Sequence, residues 1–386
     1  MMRLRLRLPE TGTEPTTRPD RCTQAGCSGH YFSDHQQCEK RLSDLDHDVV
    51  QVKRYKCVRC GHTFRVYPSG VSRAQRSDRL RGFGVLLYVL GLSYGGVADA
   101  LAALGLAGSK SSIYRDVQAA GEGVRRIRRS QGSRKVQVMS ADATYVICNR
   151  SEVTIAVALD ALAGDVLEIE LVDSESAANL RPFLEEMKEL FQVEVLLSDD
   201  HDSYKRVADD LGLKHAVCRR HINQNVAKLV AELGEAALKW KGPPPPGVGR
   251  SIEEFLTDLE YVQLVVALRP PDGAQQLWDL LRCYQAAPPP AEGEKATLWY
   301  RFRLALLRWC NNWPRITFDQ RWNQEHTAKL DGTNNVAERA IGWQIKDRYR
   351  TMRTYKRPQS VRNVTNLIIC LAANPQSDVM SQLLAA

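Results

Sequence analysis

The chain has 386 residues, 44% hydrophobic and 25% charged, with a net charge of +8; this is ordinary for a soluble globular protein of two or three domains. Residues 1–135 hold 24 Lys and Arg against 12 Asp and Glu, residues 136–330 hold 21 against 29, and residues 331–386 hold 8 against 4. Basic ends around an acidic middle point to a nucleic-acid binder whose centre keeps carboxylates for another purpose, metal ions first. The apolar runs 83–92 and 367–373 are too short for a membrane span. The Arg–Leu alternation at the start lacks the apolar centre of a secretory leader. A reducing cytoplasm is expected, where cysteines serve as metal ligands or buried apolar groups rather than as disulfides.

Five of the ten cysteines fall before residue 61. Cys57-Val-Arg-Cys60-Gly is a C-x2-C knuckle in which glycine relieves the tight turn and backbone amides can face the thiolates. It lies between strand-like runs 49–55 and 62–67. Cys22 and Cys27, a wider C-x4-C, supply two further sulfurs. The expectation is a zinc ribbon over residues 1–70 holding one structural Zn2+ through Cys22, Cys27, Cys57 and Cys60, with His30, His35, Cys38 and His62 as substitutes for one ligand.

Residues 71–134 read as a helix-turn-helix. Apolar residues recur at helical spacing over 80–90 and again at Val97, Leu101 and Leu104. A glycine turn at 105–108 then precedes a third helix capped by serines, with Ile113, Val117 and Ala120 inward. Lys110, Ser112, Tyr114, Arg115 and Gln118 are expected to face out toward DNA. A basic tail follows at Arg125, Arg126, Arg128 and Arg129.

At Lys135 the period changes from helix to strand. One strand reaches Asp142, a second covers 154–159 and a third 165–171, with Asp160 and Asp165 serving the hairpin turn between the last two. A helix over 176–191 leads to a buried strand, 193–197, that ends in Ser198-Asp199-Asp200-His201-Asp202. Three antiparallel strands, a crossover helix and a further strand are the order of an RNase H-like domain, here 135–225 and 331–386. Strand ends distant in sequence can meet in such a sheet. The intervening 226–330 reads as an all-helical insertion whose tryptophans form its core. In the last part, residues 332–357 read as a helix with one early carboxylate, Glu338, followed by Arg339, Lys346, Arg348, Arg350, Arg353, Lys356 and Arg357. One acid ahead of a row of bases suits a metal-binding carboxylate on a helix that also grips a phosphate backbone. The fold class is therefore α+β and multidomain.

Ser140-Ala141-Asp142, Leu197-Ser198-Asp199, Cys218-Arg-Arg-His221-Ile-Asn and Thr333-Asn334-Asn335-Val336-Ala337-Glu338-Arg339, in this order, resemble the DDE transposases of bacterial insertion sequences, especially the mutator-like group. The resemblance covers most of residues 136–370. It implies a DNA transposase with Asp142, Asp199 and Glu338 as catalytic, metal-binding triad. Two Mg2+ (or Mn2+) ions would be shared by the three carboxylates, with Asp142 between them, and Lys346 and Arg350 would lie on the DNA backbone. It further implies double-stranded DNA, both element ends and target, as partner, a homodimer or higher oligomer on that DNA, and a nucleoid-associated place in a bacterial cytoplasm. In that group a small residue commonly follows the second aspartate. Asp200 stands there instead, which leaves Asp200 and Asp202 as alternatives for that role. The rival functions are a catalytically inactive DNA-binding regulator and an RNase H-like nuclease that cleaves without joining. Cys218 and His221 are read as structural, since two ligands do not close a metal site.

Overall fold

The computed structural model describes residues 7–130, 134–352, 354–373 and 379–384. Arg353 and the first six residues lie outside these, as do the side chains of Arg128 and Arg129. Among the described residues no helix is long and apolar enough to cross a membrane.

The N-terminal region is a three-stranded antiparallel sheet of β1 (Phe32–Arg41), β2 (Val49–Cys57) and β3 (Thr63–Val66), in that spatial order. The register Phe32↔Cys57 brings the loop carrying Cys22 and Cys27 over the turn after β2. Helices α1 (Asp78–Val89), α2 (Tyr94–Ala103) and α3 (Lys110–Ser130) follow. Ser77 and Ser93 cap the first two by accepting from the amides of Leu80 and Gly96, which supplies partners to otherwise orphaned donors.

The central sheet consists of β4 (Val138–Cys148), β5 (Ser151–Asp160), β6 (Val166–Val172), β7 (Val195–Ser198) and β8 (Lys214–Val217), ordered β6-β5-β4-β7-β8. The first three strands pair antiparallel; β7 and β8 run parallel to β4. Parallel strands need a crossover, and α4 (Ala177–Phe191) and α5 (Asp202–Asp210) supply two. Three antiparallel strands beside two parallel ones, with the first strand central, form the RNase H-like arrangement. Asp160 accepts from the amides of Leu162 and Ala163 and so serves the β5–β6 turn.

Five helices then leave the sheet: α6 (Arg219–Leu238), α7 (Ile252–Leu268), α8 (Gly273–Cys283), α9 (Leu298–Ile316) and α10 (Phe318–Glu325). Their own core holds Phe255, Tyr284, Trp299, Phe302, Trp309 and Trp313. Trp322 belongs instead to a small cluster under β7 and β8, with Val195, Leu197 and Ala216. Helix α6 begins at Arg219 and runs without a break through residue 225, so the expected domain border falls inside one helix.

The expected single helix over 332–357 is shorter and irregular. It comprises α11 (Asn335–Ala340), a π-helical turn (Ile341–Lys346) and α12 (Asp347–Met352). Helices α13 (Pro358–Ala373) and α14 (Val379–Leu384) complete the order.

The three helices α1–α3, expected to form a helix-turn-helix, are not a detached unit. Leu80, Val97, Ile113 and Val117 share one core with Val146 and Ile155 of the sheet and with Ile345, Val361 and Leu367 of the C-terminal helices. A Cβ on Gly121 would meet the Asn363 carbonyl oxygen at 2.4 Å, so only glycine lets α3 approach α13 this closely. Asn363, itself buried, donates to the Gln118 side chain at 3.1 Å and fixes the same contact.

Candidate active site and cysteine cluster

Local chain geometry assembles the sulfurs. Cys22 and Cys60 Sγ lie 3.7 Å apart, Cys27 and Cys57 Sγ 3.9 Å, and all four fall within 4.8 Å of one another. Four thiolates around zinc at about 2.3 Å define a tetrahedron with edges of about 3.8 Å, so the four sulfurs fit one Zn2+. The Cys60 and Arg59 amides hold the Cys57 thiol down to about 7, and Gly29 donates to Cys27 at 3.4 Å. Such donors favour thiolates. The substitutes stand elsewhere: His30 contacts the Asp20 carbonyl, His62 stacks on Phe64, and His35 and Cys38 lie along β1.

The carboxylates are brought together by register. Ser140 of β4 pairs in parallel with Leu197 of β7, and carrying that ladder two residues on sets Asp142 beside Asp199. Asp142 accepts from the Ala143 amide at 2.8 Å, and Asp199 from the His201 amide at 3.1 Å. Burial pushes Asp142 up to about 7; the negative charges of Asp199 and Glu175 add to it, while His221 and the Ala143 amide oppose it.

Glu338 reaches this edge because Asn334, fully buried, anchors its helix. The Asn334 side chain bonds Ser140 Oγ and donates to the Ala141 carbonyl at 3.5 Å, while its amide donates to Cys218 Sγ at 3.1 Å. The Arg219 amide also donates to the Gly332 carbonyl at 2.7 Å. Gly332 has φ +69°, and a Cβ there would sit 2.5 Å from Asp319 Oδ2. The segments Cys218–His221 and Gly332–Glu338 are thus one docked unit, which gives Cys218 a structural task.

Within that unit Glu338 pairs with Arg220 and lies 3.4 Å from His221 Nε2. The imidazole is raised to about 9, first by the neighbouring Cys218 and then by Asp199 and Glu338, against burial. In turn Cys218, despite burial, is lowered by His221 and the Asn334 amide. Among the described residues the four cysteines are the one group of three or more such ligands within 4.8 Å. The three carboxylates do not form so tight a group; a two-metal site uses ions roughly 3.5–4 Å apart. Their hard oxygens suit Mg2+ or Mn2+. The upward push on partly buried Asp142 from Asp199 and Glu175 marks a cluster of negative charge, which a divalent cation would offset.

Asp200, next in sequence, faces the other way. It is buried, pairs with Lys205 at 2.6 Å and Arg308 at 3.3 Å, and accepts from Asn225 at 3.1 Å. It ties the end of β7 to α5, α6 and α9. Asp202 is exposed and pairs with the same Lys205 and Arg308. A fourth carboxylate that sequence reasoning missed, Glu175, precedes α4. Burial raises it and Asp199 adds to this, while the nearby Tyr204 hydroxyl opposes. Its only sequence signal was an acid ahead of a helix cap after the third strand.

The expected DNA contacts divide. Lys110, Arg115, Arg126, Arg339, Lys346 and Arg350 are exposed and Ser112 is partly so. Tyr114 and Gln118 do not face out, because α13 packs on that side of α3: Tyr114 Oη lies 3.3 Å from Ser360 Oγ and Gln118 bonds Asn363. Arg125 is drawn 3.9 Å from Glu170. Arg348 leaves the row of bases altogether. It is buried over the Tyr88 ring and donates to the Leu92 carbonyl at 3.2 Å, having rotated inward where α12 follows the π turn.

No protein-family model matches the sequence, and no curated protein does. Solved structures similar to part of the chain include three integrase assemblies. The HTLV-2 integrase catalytic core with magnesium, in trimeric form, is 12% identical over 34% of this chain and 86% of that one, with a TM-score of 0.20. The BIV integrase catalytic core is 16% identical over 34% and 82%, TM-score 0.19. A simian T-cell lymphotropic virus intasome with the PP2A regulatory subunit B56 gamma is 12% identical over 35% and 49%, TM-score 0.20. The RNase H-like assignment rests on strand order and pairing, not on these likenesses.

Proposed function

We propose that the protein is a DDE-type DNA transposase that cuts DNA at the ends of a mobile element and joins the freed ends to target DNA. One observation carries this reading: the β4–β7 register and the Asn334 anchor bring Asp142, Asp199 and Glu338 to one edge of an RNase H-like sheet. These three would hold two Mg2+ or Mn2+ ions, which when bound supply activation of the attacking oxygen and stabilisation of the leaving one. Asp142 stands on β4 and Asp199 just past the end of neighbouring β7, and Glu338, paired with Arg220 and His221, joins them through the His221 charge that both it and Asp199 feel. Lys346 and Arg350, exposed beyond Glu338 on the same helical stretch, offer charge to DNA phosphates, and Lys110, Ser112 and Arg115 offer a second contact surface. The cysteine cluster would hold one structural Zn2+. Joining two ends to one target calls for at least two copies on the DNA.

The test is a strand-transfer assay. Full-length protein is incubated with Mg2+, a labelled duplex carrying the terminal sequences that flank its coding region, and a target plasmid. Cleavage leaving a 3′-hydroxyl, followed by a covalently joined product, is expected. Cleavage without joining would assign the nuclease reading, and binding with neither would assign the regulator.

A further inference from the structure

Between the helix-turn-helix and the C-terminal segment lies a cavity of about 670 Å3 that the carboxylate site does not use. Tyr88, Tyr94, Tyr114 and Tyr355 line it, together with Arg348. Tyr88 and Tyr94 stack at 4.2 Å and 10°, and Tyr114 meets Tyr94 edge-on at 5.4 Å. Tyr88 and Tyr355 are buried, whereas Tyr94 and Tyr114 keep part of their surface open.

Arg348 is the informative member. Its side chain is 7% exposed, and its guanidinium carbon sits 4.6 Å from the Tyr88 ring centre. The terminal nitrogens donate to Thr351 and to the Leu92 carbonyl. The Nε–H, also buried, has no hydrogen-bond partner. A charged group removed from water normally uses all its donors, so this one is positioned to donate to something that enters. At the mouth, Lys110 and Lys356 are exposed.

Partly exposed aromatic rings, a buried donor and two cations at the rim select a planar ring attached to an anion. A base paired within a duplex presents no free face for stacking. We propose that this cavity binds one unpaired nucleotide, its base against Tyr94 and Tyr114, its edge toward Arg348 and its phosphate at Lys110 and Lys356. The nucleotide would come from an unpaired DNA strand end or from a free mononucleotide; both share this chemistry. The proposal rests on nucleic acid as partner but not on strand transfer.

Binding is measured in EDTA with full-length protein, so the cutting chemistry does not enter. The probes are a blunt 20-bp duplex, the same duplex with a two-nucleotide overhang containing 2-aminopurine, and deoxyadenosine monophosphate. The overhang is expected to tighten binding roughly tenfold over the blunt end, as one stacked base does, and to quench the 2-aminopurine. Tyr94→Leu should abolish that gain and leave blunt-duplex binding alone, while Tyr94→Phe, which keeps the ring, should retain it. Tyr114→Leu, on the separate helix α3, should repeat the loss should Tyr94→Leu fail to fold. A gain that the mononucleotide cannot compete away assigns the strand end; saturable mononucleotide binding without a gain assigns the free nucleotide. The proposal is overturned if neither probe binds beyond the blunt duplex, or if folded leucine variants bind as wild type does.

Discussion

The two groups of side chains proposed to hold metal ions in this molecule are built in opposite ways. Four sulfurs meet because two knuckles on neighbouring loops close over one three-stranded sheet, and every ligand lies within 39 consecutive residues. The carboxylates meet because of register between strands and because a helix 139 residues beyond Asp199 is anchored by buried Asn334. The first arrangement is tight and has soft donors turned by amides; the second has hard donors, with Glu338 balanced by Arg220 and His221. The first group is local in the chain and the second is assembled by the tertiary fold against the mutual repulsion of its carboxylates.

The largest effect should come from breaking the sulfur cluster. Cys57→Ser is expected to remove the single Zn2+, whose binding in such sites is on the order of 10 kcal/mol of folding free energy. Metal analysis should fall from about one zinc to none and proteolysis should open residues before 70, while the sheet core survives. A full complement of zinc in Cys57→Ser would show that the four sulfurs do not form the site.

Next is the contrast between neighbouring aspartates. Asp200→Asn should lower stability by about 3 kcal/mol, because it strands buried Lys205 and loosens Arg308. Asp199→Asn should cost nothing measurable, since it removes a repelling charge. Urea unfolding followed by the buried tryptophans of the helical insertion reads both; equal stabilities would remove Asp200 from its structural place.

The carboxylate site should also make the metal-free protein sensitive to pH. Asp142 is raised from 3.8 to about 7, so the fold favours its protonated form and loses stability as pH rises between those values. His221 is raised from 6.5 to about 9, so its contribution is full below 6.5 and is lost as pH rises through 9. Melting temperature should therefore fall from pH 5 to 9, and Asp142→Asn should flatten the lower half of that slope. Mg2+ should raise the melting temperature more at pH 8 than at pH 6. An identical Mg2+ effect at both values would mean that no ion replaces the proton.

The smallest effect is expected at the exposed surface. Arg115→Ala should weaken end binding roughly fivefold and lower the salt slope by about one, as loss of a single phosphate contact does. Unchanged binding and slope would place the DNA surface away from α3.

The sequence made the four-cysteine cluster and the succession of strands and helices in the central sheet legible, because knuckle spacing, period changes and turn residues are local signals. What it did not show depends on contacts between distant segments. Tyr114 and Gln118 have helical positions that point outward on an isolated α3, and only the arrival of α13 at Gly121 turns that face inward. Arg348 reads as one more base in a cationic row until a π turn rotates α12 toward Tyr88. Asp199 and Asp200 are indistinguishable by type; the strand end presents one to the carboxylate edge and the other to Lys205 and Arg308. Glu175 carried no signal beyond an acid before a cap.

The most direct measurement is Mg2+-dependent cleavage and joining of labelled element ends by wild type, Asp142→Asn, Asp199→Asn and Glu338→Gln, with DNA binding and melting temperature recorded alongside. Each amide variant should bind DNA and fold as wild type does, yet lose both reactions by about a thousandfold or more, as removal of a ligand to a catalytic ion does. If any one of the three cleaves and joins at the wild-type rate, or if wild type reacts equally well in EDTA, the carboxylates gathered by β4, β7 and the Asn334 anchor are not the catalytic centre.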